Sequence, residues 1–134
     1  MKKVFPGVLI LIMLLLTACD ANRIPEAIGT PASVPAEYAG LTNSLGPDAA
    51  VAGAEVFHAN CEPCHGTQGH GDGPAASALD PAPKDLAELQ EIVGDDYLFW
   101  RINTGKPGTS MIAWEGVLSE DQIWQLVTFI RTLK

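Results

Sequence analysis

Near the middle of the chain stands Cys61-Glu62-Pro63-Cys64-His65, a five-residue stretch that restricts everything around it. Two thiols three positions apart can each add across a vinyl group of one haem, and the His that follows is then placed to ligate the iron from one face. The same Cys-x-x-Cys spacing also serves as half of a zinc knuckle. A four-thiolate site is excluded, because the chain has one other cysteine, Cys19. A mixed site drawing on His58 or His70 stays arithmetically open, but the immediate His65 favours haem. A thioredoxin-like dithiol would need a βαβ pattern around the pair, and none surrounds it. The expectation is one covalently bound haem c.

A chain of 134 residues allows one ordinary domain with extensions, and the first third does not read as folded protein. Residues 47–134 remain, a length at which apolar burial only marginally exceeds chain entropy. A covalently held haem would supply the apolar centre that so short a chain lacks. The formal charge is −8. Lys2 and Lys3 fall in a segment expected to be removed, leaving 6 basic against 16 acidic residues, or −10. Such a surface argues against nucleic acid and for a basic docking partner, or simply for solubility.

Met1-Lys2-Lys3 followed by the apolar run Val8 to Leu16 has the layout of an export signal, too short to span a bilayer comfortably. Leu16-Thr17-Ala18-Cys19 comes directly after it and resembles the lipobox of bacterial lipoproteins. That resemblance implies a signal peptide over 1–18 and a lipidated Cys19 as the first mature residue, a stable membrane anchor once two or more acyl chains are attached. Asp20 then resembles an inner-membrane retention signal. Pro25, Pro31 and Pro35 with scattered small residues and no sustained period make 19–46 a lipid-anchored tether. Its flexible reach would be about 30 Å. The alternative is that it lies ordered on another subunit.

From Pro47 the pattern is helical. Asp48 is a plausible N-cap, and Ala50, Gly53, Ala54 and Phe57 share a face leading into Cys61. Gly66 to Pro74 reads as a glycine-rich loop and Asp80-Pro81-Ala82-Pro83 as a rigid turn. A short helix is expected over Asp85 to Val93, with Leu86, Leu89 and Val93 inward, stopped by Gly94. Asp95 should cap a second over Asp96 to Asn103, ended by Gly105. Ser119 and Gln122 form a capping box for a last helix that buries Ile123, Leu126, Val127, Ile130 and Leu133. No strand pattern competes, and the domain is expected to be all-α.

The far side of the iron needs a second ligand if the protein is to carry electrons. Met111 lies in Gly105-Lys106-Pro107-Gly108-Thr109-Ser110-Met111, too rich in Gly and Pro to be helical core. Its soft thioether would favour ferrous iron and close the site to small molecules. His58 and His70 are rivals for that position and read as surface residues. Trp100 and Trp114 are candidates for the haem pocket, Trp114 with its indole N–H free to reach a propionate. Arg101 and Lys106 are candidate propionate partners.

From Pro47 onward the chain resembles a class I cytochrome c. The elements that carry the likeness are Gly53 and Phe57 on the first helix, the CxxCH, Pro81-Ala82-Pro83, Met111, and Phe129 on the last helix. The resemblance implies about four to five short helices around one haem, Gly53 packing against the last helix, and His65 and Met111 as axial ligands. It also implies that a carbonyl of the Pro loop, at Pro81 or Pro83, accepts the proximal imidazole's N–H. Two departures stand out. Ile112 replaces the Pro that often follows the ligand Met, and the surface is acidic where many relatives carry a lysine ring.

These readings point to a single-electron carrier, not itself an enzyme, tethered to the outer face of a bacterial cell membrane. No small-molecule substrate is expected. The partners expected are a quinol-oxidising complex and a terminal oxidase or photosynthetic reaction centre. The Gly71-Asp72-Gly73-Pro74 loop and the Trp-rich second half also resemble the monohaem subunit of alternative complex III, which would make the chain a fixed subunit instead of a shuttle. A haem peroxidase or gas sensor is the reading from another class, with His70 as its one candidate distal acid-base residue.

Overall fold

The computed structural model describes residues 29–134, so the expected signal peptide and the lipidation site at Cys19 lie outside the described residues. Within them the chain is all-helical. The order is α1 (Ala49–Asn60), α2 (Glu62–His65), a 3-10 turn (Ala76–Ala78), α3 (Leu86–Ile92), α4 (Asp95–Thr104) and α5 (Glu120–Ile130). Among the described residues the only extended pairing is one isolated bridge between Glu115 and Leu118.

The two long terminal helices cross at Gly53. A Cβ there would run into the backbone carbonyl of Gln125 and come within 2.9 Å of Phe129 Cβ, so the glycine lets α1 and α5 approach backbone to backbone. Phe57, one turn on, is fully buried and meets Phe129 with ring centroids 5.0 Å apart. Leu126 and Val127 of α5 are likewise fully buried, and Ile123 and Ile130 nearly so, as the spacing predicts. Leu133 is buried although it lies past the helix end.

Caps follow local chemistry with two corrections. The Ser119–Gln122 box forms in both directions, at 3.2 and 2.9 Å. Asp85 caps α3 by accepting from the Glu88 amide at 3.0 Å. Asp48, expected to cap α1, makes no side-chain cap bond and is itself helical. Its role is taken by a preceding turn, in which the carbonyls of Gly46 and Pro47 accept from Ala49 and Ala50. Asp95 does not cap α4 but lies inside it, with Gly94 at the cap position. The Asp95 carboxylate goes to Arg131 instead, at 2.7 Å. Arg131 also donates to the carbonyls of Gln90 and Val93, tying the end of α3 and the start of α4 to α5.

The second half of the stretch expected as a free tether is ordered on the domain. Tyr38 closes a turn by donating its amide to the Pro35 carbonyl at 2.9 Å and stacks against Phe99 at 6.3 Å. Its hydroxyl accepts from Asn103 at 3.0 Å. The Asn43 amide donates to the Trp124 carbonyl and to the Thr128 hydroxyl, at 3.0 and 2.9 Å. Asp96 accepts from the Gly40 amide. A single tyrosine and a single asparagine supply most of these anchors, and neither creates a period that a sequence reading detects.

Candidate haem site

Cys61 joins α1 to α2 in helical conformation. The amides of Cys64 and His65 both donate to its carbonyl, at 3.2 and 2.9 Å, so the motif is one tight turn. The following glycine-rich loop is not loose. Amides of Gly71, Gly73 and Ala75 donate to the carbonyls of His65, Cys64 and Pro63 at 2.9 to 3.2 Å. At Gly73 a Cβ would sit 2.5 Å from the carbonyl oxygens of Glu62 and Pro63, which explains a glycine where the loop presses on the turn.

This turn forms part of the wall of a cavity of about 570 Å³. Cys61, Cys64, His65 and Met111 all line it, together with Trp114 and Arg101. Leu79, Leu86, Leu89, Leu98, Ile102, Leu126 and Ile130 give the rest an apolar surface. Pro81 and Pro83 are on the wall as expected, but neither carbonyl meets the imidazole. His65 Nδ1 lies 3.3 Å from the carbonyl oxygen of Lys84, one residue past the expected loop. Register within a Pro-rich turn depends on how the turn packs, so a one-residue error there is not visible in sequence.

Burial holds the His65 imidazole below its usual range, and the Lys84 carbonyl only partly opposes this. A neutral ring that donates from Nδ1 leaves Nε2 as a free ligand. Burial likewise pushes the Cys61 thiol up to about 12, with Cys64 beside it adding to the rise. No three His, Cys, Asp or Glu side chains converge as a metal site among the described residues.

Met111 is held by its own loop. Its carbonyl accepts from the Lys106 amide at 3.0 Å, its amide donates to the Thr109 hydroxyl at 3.2 Å, and Thr109 turns back on Lys106. Trp114 is fixed by donation of its amide to Ile102 and Asn103 at the end of α4. Ile112 also lines the cavity, although it is 62% exposed.

One expected pocket residue lies elsewhere, and the two rival histidines are on the surface, as the sequence reading has them. Trp100 is not on the cavity wall; it stacks on the Arg101 guanidinium at 3.7 Å. His58 is exposed and sits 2.6 Å from Glu62, four residues on. His70 sits 2.9 Å from Asp85 and is also absent from the wall, which leaves the peroxidase reading without its distal residue. Two contributors were not anticipated. Tyr97 lines the cavity, and so does the segment Gly29 to Ala32, folded back from a region without helical or strand signal.

A covalent haem fits what is present: an apolar cavity, two thiols and an imidazole on one turn, a thioether on the wall, and a buried Arg101 Nε with no protein partner.

Comparison with known proteins agrees. The family model described as "Cytochrome C oxidase, cbb3-type, subunit III" matches residues 48–130. The cbb3-type cytochrome c oxidase subunit FixP of Bradyrhizobium sp. (strain ORS 278) is 33% identical over 116 residues, covering 85% of this chain and 37% of that protein. The chain thus spans little more than a third of the length of that relative. Among solved structures, the c-type cytochrome KustC0563 superposes with a TM-score of 0.51 at 26% identity, over 61% of this chain and 96% of that one. A Kuenenia stuttgartiensis reducing HAO-like protein complex matches with a TM-score of 0.57 at 24% identity, over 79% and 48%. Cytochrome cL of Methylophaga aminisulfidivorans matches with a TM-score of 0.50 at 23% identity, over 63% and 53%. These last two speak for the fold alone. The family model and FixP are described as parts of cbb3-type oxidases, not as the alternative complex III subunit that the loop at Gly71 suggested. The chain belongs to the family of the cbb3-type oxidase subunit III cytochrome domain, and is a class I c-type cytochrome that carries covalent haem and transfers electrons.

Proposed function

We propose that this chain relays single electrons to a cbb3-type terminal oxidase on the outer face of a bacterial membrane, anchored there through a lipidated Cys19. The observation that carries the reading is the convergence of Cys61, Cys64, His65 and Met111 on one apolar cavity. Cys61 and Cys64 would hold the haem through thioethers, and His65 and Met111 would ligate its iron. Bound there, the haem would supply one-electron redox chemistry. The Lys84 carbonyl orients the imidazole. The leucines and isoleucines of α3, α4 and α5 keep water from the iron, and the Met111 thioether favours its reduced state. The wall carries the Met111 thioether and no second imidazole, which supports electron transfer over peroxidase chemistry.

The oxidase assignment draws on the family match and on FixP, both described as parts of cbb3-type oxidases. It is tested by solubilising native membranes in mild detergent, separating complexes on a native gel, and staining for covalent haem and oxidase activity. Migration of this chain with oxidase activity supports the reading. Migration with a quinol-oxidising complex devoid of oxidase activity moves it to that assembly, and migration alone makes it a shuttle. Globomycin-sensitive processing and acyl labelling at Cys19 test the anchor.

A further inference from the structure

His70 is exposed and lies off the cavity wall, yet its side chain is engaged. Its Nδ1 sits 2.9 Å from Asp85 Oδ2. An ionised carboxylate only accepts, so the ring donates from Nδ1 whether it is neutral or charged. The other Asp85 oxygen accepts from the Glu88 amide at 3.0 Å as the cap of α3, so both oxygens are committed. Beside this pair the Leu86 amide donates to the Gly69 carbonyl at 2.7 Å. One side-chain bond and one backbone bond thus buckle the glycine-rich loop to the start of α3.

Directly before the buckled residues stands the Lys84 carbonyl, whose oxygen is 3.3 Å from His65 Nδ1. The loop also returns to the same histidine, because the Gly71 amide donates to the His65 carbonyl at 2.9 Å. At Gly71, where φ is +74°, a Cβ would stand 2.5 Å from the Pro83 oxygen and 3.3 Å from that of Lys84, so the loop backbone presses on those two carbonyls. These contacts close a ring from His65 through Gly71 and His70 to Asp85, then through Lys84 back to His65. We propose that His70 is a positioning residue for the haem ligand, its bond to Asp85 holding the Lys84 carbonyl where it accepts from His65. The inference rests on the haem reading above. Sequence offered His70 as a rival ligand for the far side of the iron; the contacts put it in the support of the ligand on the near side.

An imidazole that donates its Nδ1–H to a carbonyl is a more basic ligand, and a more basic ligand stabilises ferric iron. Slackening the buckle lets the Lys84 carbonyl turn away and weakens a hydrogen bond that is already long. His65 then gives less density to the iron, and the potential rises. The His70 and Asp85 side chains are 42% and 26% exposed, so their pairing adds little to stability. Its effect is on the direction of one carbonyl. The cap of α3 does not depend on His70, since Glu88 uses the other Asp85 oxygen.

The test is redox titration at a single pH of the full-length holoprotein and of H70A, H70N and D85S, with the proton NMR resonance of the His65 ring N–H in the ferrous state as a second readout. H70A removes the donor, whereas D85S keeps a capping oxygen for the Glu88 amide but is too short to reach His70. Both are expected to raise the midpoint potential and to move the resonance upfield, and H70A/D85S to shift no further than either alone. H70N, whose amide takes the place of Nδ1, should return both readouts toward the wild type. A folded, haem-loaded H70A with wild-type potential and resonance overturns the proposal, and so do H70A and D85S shifts that simply add. Where H70A does not mature, D85S decides, and wild-type values in it overturn the proposal. A wild-type chain that shows no covalent haem on a stained gel instead sinks the haem reading itself.

Discussion

Met111 is the one methionine among the described residues, and its side chain is the one thioether on the cavity wall. M111A should therefore open the sixth position. We expect the ferric variant to lose the sulfur-to-iron charge-transfer band, to bind added imidazole where the wild type does not, and to show a lower potential. Retention of the band in M111A would assign the ligand elsewhere. The residue was legible in sequence because the Gly- and Pro-rich stretch before it, Gly105 to Ser110, excludes a helical core role. The Lys84 carbonyl was not, since the carbonyls of the turn and of the residue after it are chemically equivalent until the segment is folded against His65.

At the scale of elements, stability rests on the α1–α5 crossing and on the clasp that Arg131 makes between helices. G53A forces a Cβ against the Gln125 carbonyl, so α1 and α5 must move apart. Overpacking of this kind costs about 1–3 kcal/mol, read from guanidinium unfolding of the ferric holoprotein, and G53V should abolish accumulation of mature protein. R131M keeps much of the stem's packing but leaves two carbonyls and Asp95 without their donor. A loss of about 2 kcal/mol in the same measurement is expected, with no change in the absorption spectrum. Gly53 was predictable through the resemblance to class I cytochromes c, which implies a glycine of the first helix packed against the last. The clasp was not: an Arg near the end of an amphipathic helix usually faces water, and only the return of α3 and α4 shows what it meets.

For the whole molecule, the segment ahead of α1 decides how the domain sits relative to its anchor. Tyr38 and Asn43 hold 38–45 against α4 and α5, and Gly29 to Ala32 reach the cavity. In Y38A/N43A, limited proteolysis of the holoprotein should cut within 29–46 at protease levels that leave the wild type whole. Equal resistance would show that these anchors are dispensable. Sequence by itself determined the haem chemistry, the helical class and the capping box of α5, and it singled out His65 and Met111 as the proposed ligand pair. Those features depend on covalent spacing and on periods of a few residues, which survive in any local reading. Tertiary structure alone decided which carbonyl orients His65, which aromatic lines the cavity and which stacks behind Arg101, and that the expected tether is partly a wall of the pocket. Each of these joins residues far apart in the chain through shape and unpaired polar groups, and neither leaves a periodic trace.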